Sequence, residues 1–355
     1  MPAIHYLTKA QLSAFFQPRP GESRLAEQCQ LPDPALGLGA NLARHAATGG
    51  QFVLLGIPED IGPRANCGLP GATLGWQAFL SKFLNLQANS LLDAQQLLVL
   101  GEVSCADLQQ QSSNLNAAHA AELMQLRQLC AELDERVDAA VAPIFAAGLT
   151  PIVIGGGHNN ALPLLQALHR HTGQAVNCIN IDPHADFRAL EGRHSGNGFS
   201  YAMEKQLLQH YLVLGLHQQK NNAASLAALS AAGAEFISYQ QIFVRQQLSW
   251  QQALDLACDK VLSAHTPLAL ELDTDAITAM PASALNYSGI SVAQAEQAVY
   301  QLARFPATAY LHLAEAAPAQ HPSGVSAGLN HCGQVLSQLV QAFILGKQRQ
   351  AAVVE

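Results

Sequence analysis

Six carboxylate and imidazole side chains follow three short apolar runs of the sequence. They are His158 after PIVIGGG, then Asp182, His184 and Asp186 after VNCINI, and finally Asp273 and Asp275 after LALEL. Alternate residues of an extended chain point to the same side, so the charged members of DPHAD (182–186) converge, as do the two aspartates of DTD (273–275). Carboxylates at this density repel one another unless cations neutralise them. The pattern therefore predicts a metal site.

The residue types indicate which metal is bound and how many ions there are. A mixed set of aspartate and histidine without thiolate suits Mn²⁺ or a similar divalent ion better than a structural zinc. Six protein ligands are too many for one catalytic ion that keeps a water, but they suit two ions roughly 3.5–4 Å apart. The alternative is that each aspartate only caps a helix or a turn, as a lone aspartate after a strand commonly does.

These three runs belong to a longer series of apolar segments, as expected for strands covered on both faces. The predicted strands cover residues 52–57, 97–103, 151–154, 176–181, 211–216, 235–238, 268–272 and 309–313. Segments rich in Ala, Leu and Gln lie between them and are predicted to be helices, namely 118–147, 159–171, 250–264, 291–305 and 328–345. The polar run 109–116 is predicted to be a loop.

Strand and helix alternate about eight times, which predicts a three-layer αβα sandwich of the α/β class with a mostly parallel, roughly eight-stranded sheet. No linker or change in composition divides the chain. Residues 51–355 are therefore predicted to form one catalytic domain, with 1–50 as an N-terminal extension packed on it. Such sheets bind ligands beyond the carboxyl ends of their strands, where the six polar side chains stand.

Composition excludes several classes of protein. The 355 residues are 49% hydrophobic and 12% charged, which is typical of a globular chain with a large core. The 18 basic residues against 26 acidic ones give a net charge of −8, and no basic stripe suggests nucleic acid as a partner. Seven scattered cysteines form no CxxC pair, and neither a secretory signal nor a membrane span is visible. We therefore expect a cytoplasmic protein that is not attached to a membrane.

Three segments resemble the signature motifs of the ureohydrolases, the family of arginase, agmatinase and formimidoylglutamase. The motifs are GGGH (155–158), DPHAD (182–186) and DTD (273–275), in the family's order. The loop GIPEDIGPRANCGLPGA (56–72) and the segment LHLAEAAP (311–318) extend the resemblance over most of the chain. The resemblance implies an arginase-like fold, two Mn²⁺ per chain, an amidine or guanidine substrate and a homo-oligomeric assembly.

The resemblance also implies a role for each polar residue of the motifs. One ion would be held by His158, Asp182, Asp186 and Asp273, and the other by Asp182, His184, Asp273 and Asp275. Asp182 and Asp273 would bridge the two ions, whereas Asp186 would also manage the proton of the attacking water as a catalytic residue. Glu315 in LHLAEAAP matches the family's substrate-contacting glutamate and is the second predicted catalytic residue.

Departures from the guanidine-cleaving members narrow the predicted substrate. Those members carry a histidine proton shuttle at the position of Phe199 in SGNGFS (195–200). Arg188 offers a planar fork to a carboxylate and would repel a dication such as agmatine. Ser195 and Asn197 are also predicted to bind substrate. N-formimidoyl-L-glutamate has two carboxylates and a small cationic formimidoyl group, and it fits between Arg188 and Glu315.

The resulting prediction is a dinuclear Mn²⁺ hydrolase that resembles formimidoylglutamase. Two alternatives stay open at this point: a ureohydrolase for a guanidino acid, and a non-catalytic metal-binding member of the fold. Arg188 could instead be a surface residue paired with Glu191, and Glu315 could cap a strand end. Ser195 and Asn197 could serve only as hydrogen-bonding residues of their loop.

Overall fold

The computed structural model describes residues 3–263 and 265–351 of the chain. Its strands are β1 Ile4–Tyr6, β2 Phe52–Gly56, β3 Leu97–Val103, β4 Thr150–Ile154, β5 Val176–Ile181, β6 Leu208–Leu216, β7 Glu235–Ser238, β8 Leu268–Asp273 and β9 Thr308–Ala314. Its helices are α1 Lys9–Phe15, α2 Leu38–Ala47, α3 Ile61–Ala65, α4 Gly75–Phe83, α5 Ala106–Ser112, α6 Ala120–Ala146, α7 Ala161–Thr172, α8 Gly198–Glu204, α9 Ala223–Ala231, α10 Trp250–Val261, α11 Val292–Ala303 and α12 Val325–Ala351.

The described strands form one nine-stranded sheet in the order β1-β3-β2-β4-β9-β8-β5-β6-β7. Every pair is parallel except β1 with β3, which is antiparallel at the edge. The chain of β1 therefore adds residues 4–6 to the same sheet that carries the predicted metal ligands.

The sheet is covered by helices on both faces, because its strands are apolar on both sides. In β2, Phe52 and Leu54 pack into one hydrophobic core, whereas Val53 and Leu55 pack into the other. Helices α4, α10, α11 and α12 close the first core, and α2, α6 and α7 close the second. The predicted three-layer αβα sandwich is confirmed.

The differences from the sequence-based prediction are local. The sequence does not predict β1, because its three residues contain no apolar run. In the structure, Ile4 of this strand is buried and His5 is exposed. Residues 109–112 lie in α5, because Leu108 and Ser112 are buried and glutamine is a good helix former, so the predicted loop there is wrong. Helix α10 ends at Val261, and residue 264 of the predicted helix lies outside the described residues. No helix in the described part of the chain is both long and apolar enough to cross a membrane.

Candidate metal centre and substrate pocket

Five neighbouring strands carry the candidate site at their carboxyl ends. In the order β4-β9-β8-β5-β6, His158 follows β4, Glu315 follows β9, Asp273 ends β8, Asp182 follows β5 and Lys220 lies in the loop after β6. The ends of parallel strands meet at one edge of a sheet, so residues far apart in sequence become neighbours here.

A first group of ligand atoms surrounds the Nδ1 atom of His158. This nitrogen lies 3.0 Å from an oxygen of Asp186, 3.2 Å from one of Asp182 and 3.6 Å from one of Asp273. His158 and Asp182 are almost completely buried. The four residues together offer one ligand atom each within 4.8 Å of one another, which is compact enough for a single ion.

A second group of ligand atoms is centred on His184. Its Nδ1 atom lies 3.1 Å from an oxygen of Asp275 and 3.5 Å from Oδ1 of Asp182. Asp182 therefore faces both groups, with Oδ2 toward His158 and Oδ1 toward His184. This is the arrangement that a carboxylate shared by two neighbouring cations requires.

The electrostatics of these groups fit the binding of divalent cations. One imidazole nitrogen can donate a single hydrogen bond, yet three carboxylates crowd Nδ1 of His158, so the protein alone does not satisfy them. Oδ1 of Asp275 is buried and makes no hydrogen bond within the described residues. Burial and the charge of Asp182 raise the pKa of Asp186 to about 6, and burial with the charge of Asp273 raises that of Asp275. Oxygen-rich ligands with imidazole suit Mn²⁺.

Glu315 is held at the edge of the same cluster by two hydrogen bonds. The backbone N–H of His158 donates to its Oε1 at 2.9 Å, and the hydroxyl of Ser283 donates to its Oε2 at 2.5 Å. Burial and the charge of Asp273 raise the pKa of Glu315 to about 8. Glu315 and Asp186 both have left-handed backbones, with φ of 65° and 46°. Strain of this kind persists where the surrounding structure fixes a functional geometry.

The loop that carries His158 is fixed from below by Glu59. The buried carboxylate of Glu59 accepts hydrogen bonds from the N–H of Gly157 at 2.6 Å, from Nδ2 of Asn160 at 2.8 Å and from the N–H of Gly62 at 3.1 Å. At Gly156, φ is +72° and a Cβ atom would lie 2.4 Å from Nδ2 of Asn160, which explains the glycine at this position.

A buried polar network lies behind the ring of His158. Its Nε2 atom is 3.4 Å from Oε2 of Glu271, which also accepts a hydrogen bond from Nδ1 of His312 at 2.6 Å. The hydroxyl of Tyr310 donates to Oε1 of Glu271 at 2.5 Å. Burial disfavours ionisation here, but His312 and His158 outweigh it and lower the pKa of Glu271 to about 2. A carboxylate behind the second nitrogen orients an imidazole toward a metal.

A cavity of about 300 Å³ opens from the candidate metal centre to the surface. Candidate ligands in its lining are His184, Asp186, Asp273 and Asp275. Other polar side chains in the lining are Asn66, Arg188, Ser195, Lys220, Asn221, Asn222, Ser225, Ser283 and Glu315. Acidic groups at the centre and two cations, Arg188 and Lys220, therefore share one small pocket.

Comparison with known proteins identifies the family. The sequence model described as "Arginase family" matches residues 50–340. The chain belongs to the arginase family. The resemblance to ureohydrolases is thereby confirmed, and the chain is a metal-dependent amidinohydrolase.

Several relatives within the family carry the same name. The chain is 30% identical to the formimidoylglutamase of Aeromonas hydrophila over 286 residues, which cover 78% of this chain and 81% of that protein. It is 27% identical to the formimidoylglutamase of Geobacillus thermodenitrificans over 284 residues, or 78% and 80% of the two chains.

Solved structures show that the fold is shared as well. Formiminoglutamase from Trypanosoma cruzi, crystallised with Mn²⁺, matches with a TM-score of 0.67 at 20% identity, covering 92% of this chain and 98% of that one. Formimidoylglutamase from Bacillus subtilis matches with a TM-score of 0.69 at 14% identity, covering 94% and 95%. At these identities the likeness establishes the arginase fold.

The structure brings together most of the site residues predicted from this arginase-family sequence. All six predicted metal ligands lie in the two groups around His158 and His184, and Glu315 adjoins them. Ser195 lines the pocket. The side chain of Arg188 also lines it, is 48% exposed and approaches Glu191 only to 3.7 Å. Arg188 is thus free to reach a ligand at the rim.

Asn197 is the predicted substrate-binding residue that the structure does not bring to the pocket. Its side chain is buried and fully used within its own loop. Oδ1 accepts from Nη1 of Arg193 at 2.6 Å, and Nδ2 donates to the carbonyls of Gly192 at 2.8 Å and Ala189 at 3.2 Å. These contacts correct the prediction: Asn197 shapes the loop, and no donor or acceptor is left for substrate.

Phe199 also lies away from the pocket. Its buried ring stacks on Tyr211 at 4.4 Å and meets the ring of His158 edge-on at 5.2 Å. The ring of Phe199 is therefore packed between the rings of His158 and Tyr211. Phe199 thus supplies no proton shuttle, which agrees with its departure from the guanidine-cleaving members.

Four further residues at the candidate site are not predicted from the sequence motifs. They are Ser283, which holds Glu315, Glu271, which faces His158, Glu59, which holds the loop of His158, and Lys220, which lines the pocket. Glu271 gave a signal, since a lone acid inside the apolar run LALEL must find partners when buried. Ser283 and Lys220 stand in loops whose course the sequence pattern does not fix.

Proposed function

We propose that this protein hydrolyses N-formimidoyl-L-glutamate to L-glutamate and formamide, with two Mn²⁺ per chain. The observation that carries the proposal is the pocket in which a carboxylate and histidine cluster lies at the base and Arg188 at the rim. A substrate with a reactive cationic amidine at one end and a carboxylate at the other matches this distribution of charge. The relatives named formimidoylglutamase support the same substrate.

The residues that would hold the ions are those of the two ligand groups. His158, Asp182, Asp186 and Asp273 would hold one ion, and Asp182, His184 and Asp275 the other. The family resemblance adds Asp273 as a second ligand shared by both ions. When bound, the two ions would lower the pKa of a water molecule so that it can lose a proton and attack at neutral pH. They would also polarise the formimidoyl carbon that is attacked.

The chain's own residues would bind the substrate and move the protons. Glu315 would accept hydrogen bonds from the cationic formimidoyl group and hold its carbon beside the centre. As the water oxygen adds to this carbon, a carboxylate oxygen of Asp186 would take a water proton. Asp186 would then return it to the glutamate nitrogen as the C–N bond breaks, and the remaining proton of the added oxygen would pass to the same nitrogen, giving formamide and the α-ammonium group of glutamate. Arg188 would bind a carboxylate of the glutamate moiety.

The guanidino-acid alternative is less well supported by the pocket. The guanidine-cleaving members have a proton-shuttling histidine where this chain has Phe199, whose ring is buried against Tyr211. A guanidinium substrate would therefore have to transfer its protons through other groups.

The test is glutamate release from N-formimidoyl-L-glutamate by Mn²⁺-loaded protein, with an EDTA-treated sample as control. Arginine and agmatine are assayed separately as alternative substrates. Mn²⁺-dependent release from the formimidoyl compound alone is the expected result. Urea release from a guanidine, with no glutamate release, would replace the substrate but keep the metal chemistry. Bound Mn²⁺ with no turnover of any of the three would favour a non-catalytic member of the fold.

Three statements about the cellular context stay predictions. They are a role in histidine degradation, a cytoplasmic location and a homo-oligomeric assembly. The first follows from the proposed substrate. Sedimentation of the purified protein measures the third directly.

A further inference from the structure

Lys220 places a positive charge in the lining of the candidate substrate pocket. Its ammonium group makes no hydrogen bond or ion pair with any residue in the described part of the chain, although the side chain is half-buried in the pocket lining. Arg136 and Arg193, which are also partly or fully buried, each pair with an aspartate. A half-buried cation left unpaired in a pocket is available to an anionic ligand.

The loop that carries Lys220 is built onto the metal-binding segment. The side chain of the next residue, Asn221, accepts a hydrogen bond from the N–H of Ala185 at 2.7 Å and donates to the carbonyl of Pro183 at 2.9 Å. It also donates to the carbonyl of His217 at 3.0 Å, and the N–H of Lys220 donates to the same carbonyl at 3.0 Å. The backbone of Lys220 is therefore held in a fixed position relative to the metal-binding segment 182–186.

The two cations of the pocket lie at different depths. Lys220 is close enough to the metal centre to interact electrostatically with Asp275 and Asp182. Arg188 is 48% exposed and lies by Glu191 at the surface. The stem of Arg188 crosses Gly196, where a Cβ atom would come within 3.0 Å of its Cδ. Arg188 is thus held at the rim and Lys220 toward the base.

This difference in depth matches the two carboxylates of the proposed substrate. In N-formimidoyl-L-glutamate the α-carboxylate is joined to the carbon next to the reacting nitrogen, whereas the γ-carboxylate is two methylene groups farther away. With the formimidoyl carbon at the metal centre, the α-carboxylate lies near the base and the γ-carboxylate toward the rim.

Resting on the proposed function, we infer that Lys220 is a specificity-determining residue that binds the substrate's α-carboxylate, while Arg188 binds the γ-carboxylate. The pocket thus selects an N-formimidoyl amino acid with a second, distal carboxylate. A substrate bearing an ammonium in place of either carboxylate is repelled by one of the two cations.

The experiment crosses protein variants with truncated substrates. Lys220→Gln and Arg188→Gln are assayed on N-formimidoyl-L-glutamate, on N-formimidoyl-4-aminobutyrate, which lacks the α-carboxylate, and on N-formimidoyl-L-2-aminobutyrate, which lacks the γ-carboxylate. Losing a hydrogen bond between charged groups lowers kcat/KM roughly 10–100-fold. We expect Lys220→Gln to lose this factor on the full substrate and under about twofold on the substrate without the α-carboxylate. Arg188→Gln is expected to lose the same factor on the full substrate and under about twofold on the substrate without the γ-carboxylate.

Equal losses for Lys220→Gln on all three substrates would overturn the assignment. Lys9→Gln is the matched control, because it makes the same change on an exposed residue of α1. Each variant is also titrated with Mn²⁺, and removing a positive charge near the centre should leave the affinity unchanged or raise it. A lower Mn²⁺ affinity would show that Lys220 acts through the metal site and would also overturn the assignment.

A second measurement separates this inference from the proposed function. If the wild-type protein cleaves none of the formimidoyl compounds, the proposed function fails. Binding of glutarate to the Mn²⁺-loaded proteins then tests Lys220 by calorimetry. A Kd at least tenfold higher in Lys220→Gln than in the wild type and Lys9→Gln supports a carboxylate site at Lys220, and an unchanged Kd contradicts it.

Discussion

Two buried charged regions of the molecule are organised in opposite ways. In the first, Asp134 accepts from Nε of Arg193 at 2.7 Å, and the other guanidinium nitrogens donate to Asn197 Oδ1 at 2.6 Å and the carbonyl of Asn159 at 2.9 Å. In the second, four aspartates lie around two histidines, and Nδ1 of His158 and Oδ1 of Asp275 make no hydrogen bond within the described residues.

The comparison separates a structural use of buried charge from a functional one. The Asp134–Arg193 region satisfies its charges inside the protein, so it needs nothing from the solvent and contributes to the fold. The aspartate cluster has a surplus of negative charge that bound divalent cations would neutralise. Its stability and its chemistry are therefore both coupled to metal binding.

Substitution of Asp182, whose carboxylate faces both ligand groups, should have the largest effect on catalysis. Asp182→Asn keeps the shape of the side chain but removes the charge that faces both His158 and His184. We expect kcat to fall by at least about a thousandfold, as it does when a central catalytic group is removed. Metal analysis of the dialysed protein should show less bound Mn²⁺ than in the wild type.

Asp259→Asn is the control for this change, because Asp259 is an exposed aspartate on α10. It should keep full activity and metal content. Wild-type turnover and full Mn²⁺ content in Asp182→Asn would remove the difference between the two charged regions.

The corresponding change in the Asp134–Arg193 region should lower the free energy of unfolding instead of the metal affinity. Asp134→Asn leaves the buried guanidinium of Arg193 without its anion, which typically costs about 3–5 kcal/mol of unfolding free energy. Urea denaturation measures this loss. At a temperature where the variant is folded, its Mn²⁺ content should equal that of the wild type. Loss of metal from the folded variant, with unfolding free energy unchanged, would contradict the division of roles.

An intermediate effect is expected for a substitution of Glu271, which borders the aspartate cluster through His158. This carboxylate is satisfied by Tyr310 and His312 but also faces Nε2 of His158. Glu271→Gln should weaken Mn²⁺ binding roughly 10–100-fold, because a ligand histidine loses the partner that orients it. Calorimetric titration with Mn²⁺ measures the change.

Tyr310→Phe is the matched variant, since it removes one hydrogen bond to Glu271 and keeps the carboxylate. Its Mn²⁺ affinity should stay closer to that of the wild type. Equal weakening in both variants would mean that packing in this network, and not the charge behind His158, determines affinity.

The sequence predicted those parts of the molecule that depend on period and position along strands. The apolar runs located eight strands of the described sheet, and residues placed just after them had to meet at one edge, which identified all six candidate ligands. The short edge strand β1 has too few residues to form a pattern and is held by its register with β3, where Ile4 lies opposite Val103.

Side chains in loops were harder to predict because their partners come from distant segments. Asn197 belongs to SGN like Ser195, yet contacts with Arg193 and Gly192 turn its amide inward. Lys220 and Ser283 have no local pattern that distinguishes them from other surface residues. Their positions follow from tertiary contacts, such as those that Asn221 makes with the loop after β5.

The smallest expected effect concerns Ser283, which belongs to neither charged region but fixes the carboxylate of Glu315 at the edge of the aspartate cluster. Ser283→Ala leaves Glu315 with the N–H of His158 as its one remaining fixed donor in the described structure. A hydrogen bond to a charged group is worth about 1.5–3 kcal/mol, so kcat/KM should fall by about tenfold or somewhat more. Steady-state kinetics measure the change, and Mn²⁺ content should not alter. Ser288→Ala is the same substitution in the same loop without a contact to Glu315, and it should retain activity. Equal kinetics for Ser283→Ala and the wild type would show that the strained backbone of Glu315 alone is enough to hold its carboxylate.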